Sequence, residues 1–129
     1  MMSKEKIKYL ISESEYLIME YLWHHEEGKM FADIVTYLNE TCQKNWTKQT
    51  INTFIKRLKD KGLINTHNNI KKRIYYPSLS YTEYKQGEAT ELINELYGGS
   101  MYTFLSAFSG GQKLDENTAN ELRKILEEL

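Results

Sequence analysis

The sequence predicts a mainly α fold that carries one small β-hairpin. Three observations point there. Apolar residues recur at helical spacing through most of the chain. Two β-rich runs flank a single Asn-rich turn. The one proline, Pro77, speaks against a Pro-rich linker and for continuous secondary structure. At 129 residues the chain suits one domain, or a compact module with a small appendage.

The elements follow in order. Ser12 and Glu15 have the spacing of a capping box ahead of the apolar run Tyr16 to Trp23, which predicts a first helix ending near Glu26-Glu27-Gly28. A second helix is expected from Phe31 to about Glu40, with Ile34, Val35 and Leu38 inward. The third is the stretch WTKQTINTFIKRLKDKGL, residues 46–63. Its apolar face is Ile51, Phe54, Ile55 and Leu58; Thr47 is its N-cap, Trp46 and Ile51 stand at the two staple positions, and Gly62 sits where a glycine stops a helix. Leu63–His67 and Arg73–Pro77 then read as strands around Asn68-Asn69-Ile70-Lys71-Lys72. Three helices and a basic hairpin, in that order, predict a winged helix-turn-helix over residues 1–78.

Residues 79–129 are expected to form a helical dimerisation region. Leu92, Ile93, Leu96 and Tyr97 recur at helical spacing, and the run from Met101 to Phe108, with Phe104 and Leu105, is apolar nearly all round. Asp115 begins a last amphipathic helix carrying Leu122, Ile125, Leu126 and Leu129. Helices apolar on more than one face need more partners than so small a region supplies. A homodimer is the expected answer.

Charge points to the partner. Residues 44–73 hold seven Lys and two Arg against one acid, Asp60, a net of +8 in a chain whose formal charge is -1. The face of the third helix opposite its apolar side carries Gln49, Asn52, Thr53 and Lys56, with Arg57 at its edge. In a winged helix-turn-helix this helix enters the major groove and its early residues, here Thr47, Lys48, Gln49 and Thr50 as well, approach base edges. Lys71, Lys72 and Arg73 at the hairpin tip would lie against phosphates. Double-stranded DNA is therefore the expected partner. A winged helix serving only as a protein-interaction module is the alternative, but it has little reason to keep a basic, polar third helix and a basic wing tip.

Other chemistry is not expected. Adjacent histidines such as His24-His25 point in different directions on a helix end, and nothing completes a metal-ligand set around them. Cys42 is a lone cysteine without a nearby general base. Gly98-Gly99 and Gly110-Gly111 read as helix punctuation rather than a phosphate loop, and the ten tyrosines as scattered core and wing residues. No enzyme activity, cofactor or metal site is expected. The charged N-terminus MMSKEKIKYL lacks a signal peptide's apolar stretch, no segment approaches a membrane span, and one cysteine suits a reducing compartment. Cytoplasmic localisation without membrane insertion follows as the expectation.

The residues Trp46-Thr47-Lys48-Gln49-Thr50-Ile51-Asn52-Thr53, then Arg57-Leu58 and Lys61-Gly62-Leu63-Ile64, resemble the penicillinase repressor family, with its W-S/T-x-x-T-I/V-x-T-x-I/L-x-R-L pattern. The similarity continues through Ser14-Glu15, Trp23, Tyr75-Tyr76 and Tyr97-Gly98-Gly99. The resemblance implies a dimeric cytoplasmic repressor acting on TACA/TGTA-type dyads. It also implies, for β-lactam-responsive members, inactivation by cleavage through a membrane sensor-protease pathway. Aligning Tyr97 with the family's tyrosine places the matching bond at Ala107–Phe108. Two departures stand out. Lys48 and Asn52 replace the Pro and Arg common in β-lactamase repressors, and Asn is suited to adenine. The ending ELRKILEEL lacks the Cys-x-Cys motifs of the copper-responsive branch.

Overall fold

The computed structural model describes residues 8–69 and 71–128. The charged stretch before Lys8, Ile70 of the expected hairpin turn and Leu129 of the expected last apolar face lie outside the described residues. Contacts divide the chain into two compact units, residues 1–91 and 92–129.

The first unit is a winged helix-turn-helix. Helix α1 (Glu13–Trp23) starts on the expected box: the Glu15 N–H donates to Ser12 Oγ at 3.2 Å, and Glu15 Oε1 accepts from the Ser12 N–H at 3.2 Å. Helix α2 (Phe31–Thr36) is shorter than the sequence suggests, because the chain widens into a π-helical turn over Tyr37–Thr41, closed by the Cys42 N–H on the Tyr37 carbonyl at 3.0 Å. Helix α3 (Lys48–Asp60) is capped by Thr47, whose Oγ1 accepts from the Thr50 N–H at 3.1 Å. It ends as a Schellman motif: the Gly62 N–H reaches the Lys59 carbonyl and the Leu63 N–H reaches Leu58, with Gly62 at φ +77° in the left-handed region.

The hairpin is tighter than the sequence suggests. Strands β1 (Ile64–Asn69) and β2 (Lys72–Pro77) pair antiparallel from Ile64↔Pro77 to Asn69↔Lys72, so Asn68, Asn69 and Lys72 are strand residues, and Lys71 is a turn residue. Lys29 adds a bridge, exchanging two 2.8 Å backbone hydrogen bonds with Tyr75. Gly28 beside it has φ +101°, and a Cβ there would lie 2.1 Å from Ile74 Cγ2. No other residue type fits.

One core joins these elements. Ile18, Met19 and Leu22 of α1 meet Ile34, Leu38, Ile51, Ile55 and Leu58, with Leu63, Ile64 and Tyr75 closing it from the hairpin. Each such side chain contributes roughly 1.5–3 kcal/mol on burial. Helix α4 (Tyr81–Tyr97) adds Tyr84, which is fully buried and hydrogen-bonds the Tyr9 carbonyl. Burial pushes the Tyr84 phenol far above its ordinary range. Glu91 Oε1 accepts from the Tyr9 N–H at 2.8 Å, the Tyr9 ring lies where a side chain at Gly87 would stand, and the Trp23 indole donates to the Leu79 carbonyl at 3.1 Å. These ties join the start of α4 to the core, and the first compact unit runs to Glu91. Tyr9, Tyr16, Trp23, Tyr81 and Tyr84 also form a chain of ring contacts 5.0–6.2 Å apart, so these tyrosines gather rather than scatter.

The second unit contains the last turns of α4, then α5 (Met101–Ser109) and α6 (Glu116–Glu128). Ser100 caps α5 through the Thr103 N–H, and Gly110 ends it at φ +65°. Asp115 caps α6, accepting from the Thr118 N–H and hydroxyl, both at 2.9 Å. Neither helix contains a fully buried residue.

Candidate nucleic-acid interface

Burying Ile51, Ile55 and Leu58 dictates what α3 leaves outside, since residues three and four apart share a face. Thr47, Lys48, Gln49, Asn52, Thr53, Lys56 and Arg57 are exposed. Thr50, also a candidate, is half-buried. Its hydroxyl oxygen accepts from the Thr47 hydroxyl at 2.9 Å, so the two threonines of the first turn complete the helix cap. Thr53 bonds back along the helix, its hydroxyl donating to the Gln49 carbonyl at 3.0 Å.

The helix start is fixed from outside. Trp46, just before the cap, stands edge-on to Phe54 with ring centroids 5.3 Å apart, one turn beyond the expected staple partner Ile51. Lys44 Nζ lies 5.8 Å from the Trp46 ring centroid. Asn39 holds the Trp46 backbone by two hydrogen bonds. Tyr21 and Tyr37 stack at 4.3 Å, and burial, with hydrogen bonding to Cys42, pushes the Tyr37 phenol up to about 12.

The wing stands beside this face. Lys71, Lys72 and Arg73 are all exposed, and the Arg73 Nε–H donates to Asn68 Oδ1 across the strand pair at 3.1 Å. Asn52, Ile55, Lys56 and Lys59 of α3 meet Arg73 and Tyr75 of β2 around a cleft of about 180 Å3. Lys59 was not singled out in the sequence. Its spacing, three after Lys56 and seven after Asn52, is the signal that finds it. Among the described residues the one ion pair joins Lys85 to Glu88 at 2.9 Å, away from this surface. Like charges gathered on one face repel one another and are favoured beside an anion.

The residues expected to join two copies lie in the second unit. Leu92, Ile93, Tyr97, Phe104, Leu105 and Leu122 are half-buried; Leu96, Phe108, Ile125 and Leu126 are exposed. Tyr97 meets Phe104 edge-on at 5.3 Å, and Phe104 stacks near Phe108 at 6.3 Å. Met101 and Tyr102 are exposed as well, Tyr102 at 82%. Ala107 and Phe108 fall inside α5, both exposed. His25 Nδ1 donates to the Tyr21 carbonyl at 2.9 Å, and Cys42 is half-buried after the π-helical turn. No helix among the described residues is long and apolar enough to cross a membrane.

A winged helix-turn-helix whose third helix and wing share an exposed basic, amide-bearing surface defines a DNA-binding regulator. This chain belongs to the penicillinase repressor family, whose sequence profile matches residues 11–128. It is 28% identical over 118 residues to the penicillinase repressor of Bacillus licheniformis, covering 92% of this chain and 90% of that one. It is 30% identical over 119 residues to the methicillin resistance regulatory protein MecI of Staphylococcus aureus strain N315, covering 92% and 94%. The solution structure of the DNA-binding domain of the repressor BlaI matches 61% of this chain and 93% of that one, at 28% identity and a TM-score of 0.52. The family is one of repressors, not enzymes.

Proposed function

We propose that this DNA-binding repressor acts in the cytoplasm as a homodimer on a dyad operator in double-stranded DNA. The observation that carries the reading is the cleft where Asn52, Lys56 and Lys59 of α3 meet Arg73 of the wing. An amide able to bond base edges stands there beside cations able to bond phosphates, which supports the reading. Thr47, Lys48, Gln49, Thr53, Arg57, Lys71 and Lys72 extend the same surface. Half-sites one helical turn apart call for two copies of α3. Leu96 at 53%, Phe108 at 65% and Leu126 at 68% exposure supply apolar surface for joining them, together with Leu92, Ile93, Tyr97, Phe104, Leu105, Leu122 and Ile125.

The relatives are named for penicillinase and methicillin resistance, so the genes held silent belong to a β-lactam or cell-wall-stress response. Release comes from a membrane sensor-protease pathway that cuts Ala107–Phe108. Hydrolysis there divides α5 and parts α6 from the rest of the dimer surface. The glycines flanking α5 ease the local opening that a protease needs.

Selection of duplexes from a random-sequence pool by the purified full-length protein tests the core of this reading. Recovery of a dyad with two similar half-sites is expected. Failure to retain any duplex would leave the surface as a protein-interaction module. Mass spectrometry of the protein in its native cell, with and without a cell-wall antibiotic, tests the switch. An intact chain persisting while the target gene is induced would defeat cleavage.

A further inference from the structure

We infer that Thr53 reads a thymine in each half-site, and that it does so through its γ-methyl group rather than its hydroxyl. The inference rests on the DNA-binding reading and names one specificity determinant within it.

The argument turns on how the exposed polar groups of α3 are already engaged. Three threonines lie in or beside the segment that would face the major groove. Thr47 and Thr50 spend their hydroxyls on the helix cap, and Thr50 is half-buried. Thr53 is exposed and sits four residues after Gln49 and three before Lys56, in the middle of the polar face. Its hydroxyl is turned back along the helix, donating to the Gln49 carbonyl at 3.0 Å. This back-bond is a common way for a helical threonine to satisfy its donor. It leaves the γ-methyl as the apolar group that Thr53 presents outward.

Among base pairs, only those containing thymine present a methyl group in the major groove, and a threonine methyl is a suitable contact for it. The neighbours complete the pattern. Asn52 and Gln49 carry amides able to bond an adenine edge in two places, while Lys56 and Arg57 carry charge. Thr53 is thus an apolar point among hydrogen-bonding ones.

The test uses full-length protein and a duplex it has selected from a random pool. Each thymine of the half-site is replaced in turn by deoxyuridine, which removes the base methyl and leaves every hydrogen-bonding edge unchanged. One position is expected to weaken binding about fourfold per half-site, the size of one buried methyl group. Thr53→Ser should weaken binding to the thymine duplex by a similar factor and abolish the uracil penalty at that position. Thr53→Val should keep both the affinity and the penalty. Indifference to uracil at every position, with the duplex still bound, overturns the inference and leaves the repressor reading intact. So does a Thr53→Val protein that binds as weakly as Thr53→Ser, because the hydroxyl would then be the contact. Failure to retain any duplex defeats both.

Discussion

Asn39 holds Trp46 by both of its backbone polar groups: Nδ2–H donates to the Trp46 carbonyl at 2.9 Å, and Oδ1 accepts from the Trp46 N–H at 2.8 Å. Between them the chain leaves a π-helical turn and passes Gln43 at φ +55° and Asn45 at φ +57°, conformations unfavourable for most side chains. One side-chain amide thereby does what a strand partner would do elsewhere, and it fixes where α3 starts. Asn39→Ala should lower stability by about 1–3 kcal/mol, the range for leaving partly buried backbone groups unpaired. It should also weaken DNA binding beyond what the fraction unfolded explains. Urea denaturation and a binding titration on one protein preparation check both. A variant as stable as the parent would mean that water replaces the amide without loss.

That clamp was not legible in the sequence, and the reason generalises. Thr47 with Thr50, Ser12 with Glu15, and Gly62 after Leu58 announce themselves because each acts within one helical turn. The periodicity of α3 likewise separates its buried Ile51, Ile55 and Leu58 from its exposed face. Asn39 and Trp46 are seven apart across an irregular loop, Lys29 and Tyr75 are forty-six apart, and Tyr9 meets Glu91 from opposite ends of the first unit. No local spacing encodes such pairs. The full length of the hairpin's strands escaped for a related reason. Asn68, Asn69 and Lys72 have turn-like or charged side chains, but cross-strand pairing holds them in the ladder.

The wing should act through charge. If the two DNA-facing surfaces of a dimer neutralise roughly six to ten phosphates, log K should fall against log salt with a slope of about -5 to -9. Replacing Lys71, Lys72 and Arg73 together by Ala should weaken binding to every sequence and flatten that slope. Because Arg73 is held by Asn68, Asn68→Ala should give a smaller loss of the same kind. A wing variant with an unchanged slope would move the phosphate contacts to α3 alone.

The cap of α6 should give the second unit a pH dependence. Hydrogen bonds from the Thr118 N–H and hydroxyl hold the Asp115 carboxyl below its ordinary value. A lowered folded value means that the contribution is present above the unfolded carboxylate range and lost as pH falls through the folded one. Glu83, held low by Ser80, follows the same sign in α4. Acidification should therefore fray the start of α6, seen by NMR as lower amide protection factors, measured against the intrinsic exchange rate at each pH, at Asn117 and Thr118. Asp115→Asn retains an acceptor and should remove the pH dependence. The same pH-dependent fraying in Asp115→Asn would assign the effect to another group.

Truncation separates the two units, and the place of the cut decides the outcome. A fragment ending at Ser78 contains three helices and the hairpin, and the sequence alone recommends it. It lacks Leu79, whose carbonyl receives the Trp23 indole, and Tyr84, whose ring is fully buried against Tyr16 and Trp23. Removing a buried aromatic side chain costs roughly 3–5 kcal/mol, a large share of a small domain's stability. A fragment ending at Glu91 keeps both groups, and keeps the carboxylate that receives the Tyr9 N–H. The longer fragment should melt cooperatively near the temperature of the intact chain, and the shorter one well below it. Both should sediment as monomers at micromolar concentration, while the intact chain sediments as a dimer. Operator affinity should fall steeply in the longer fragment even though α3 and the wing are untouched, since joining two reading heads raises the effective concentration of the second to roughly millimolar. A residue 1–91 fragment that sediments as a dimer would move the joining surface into the first unit.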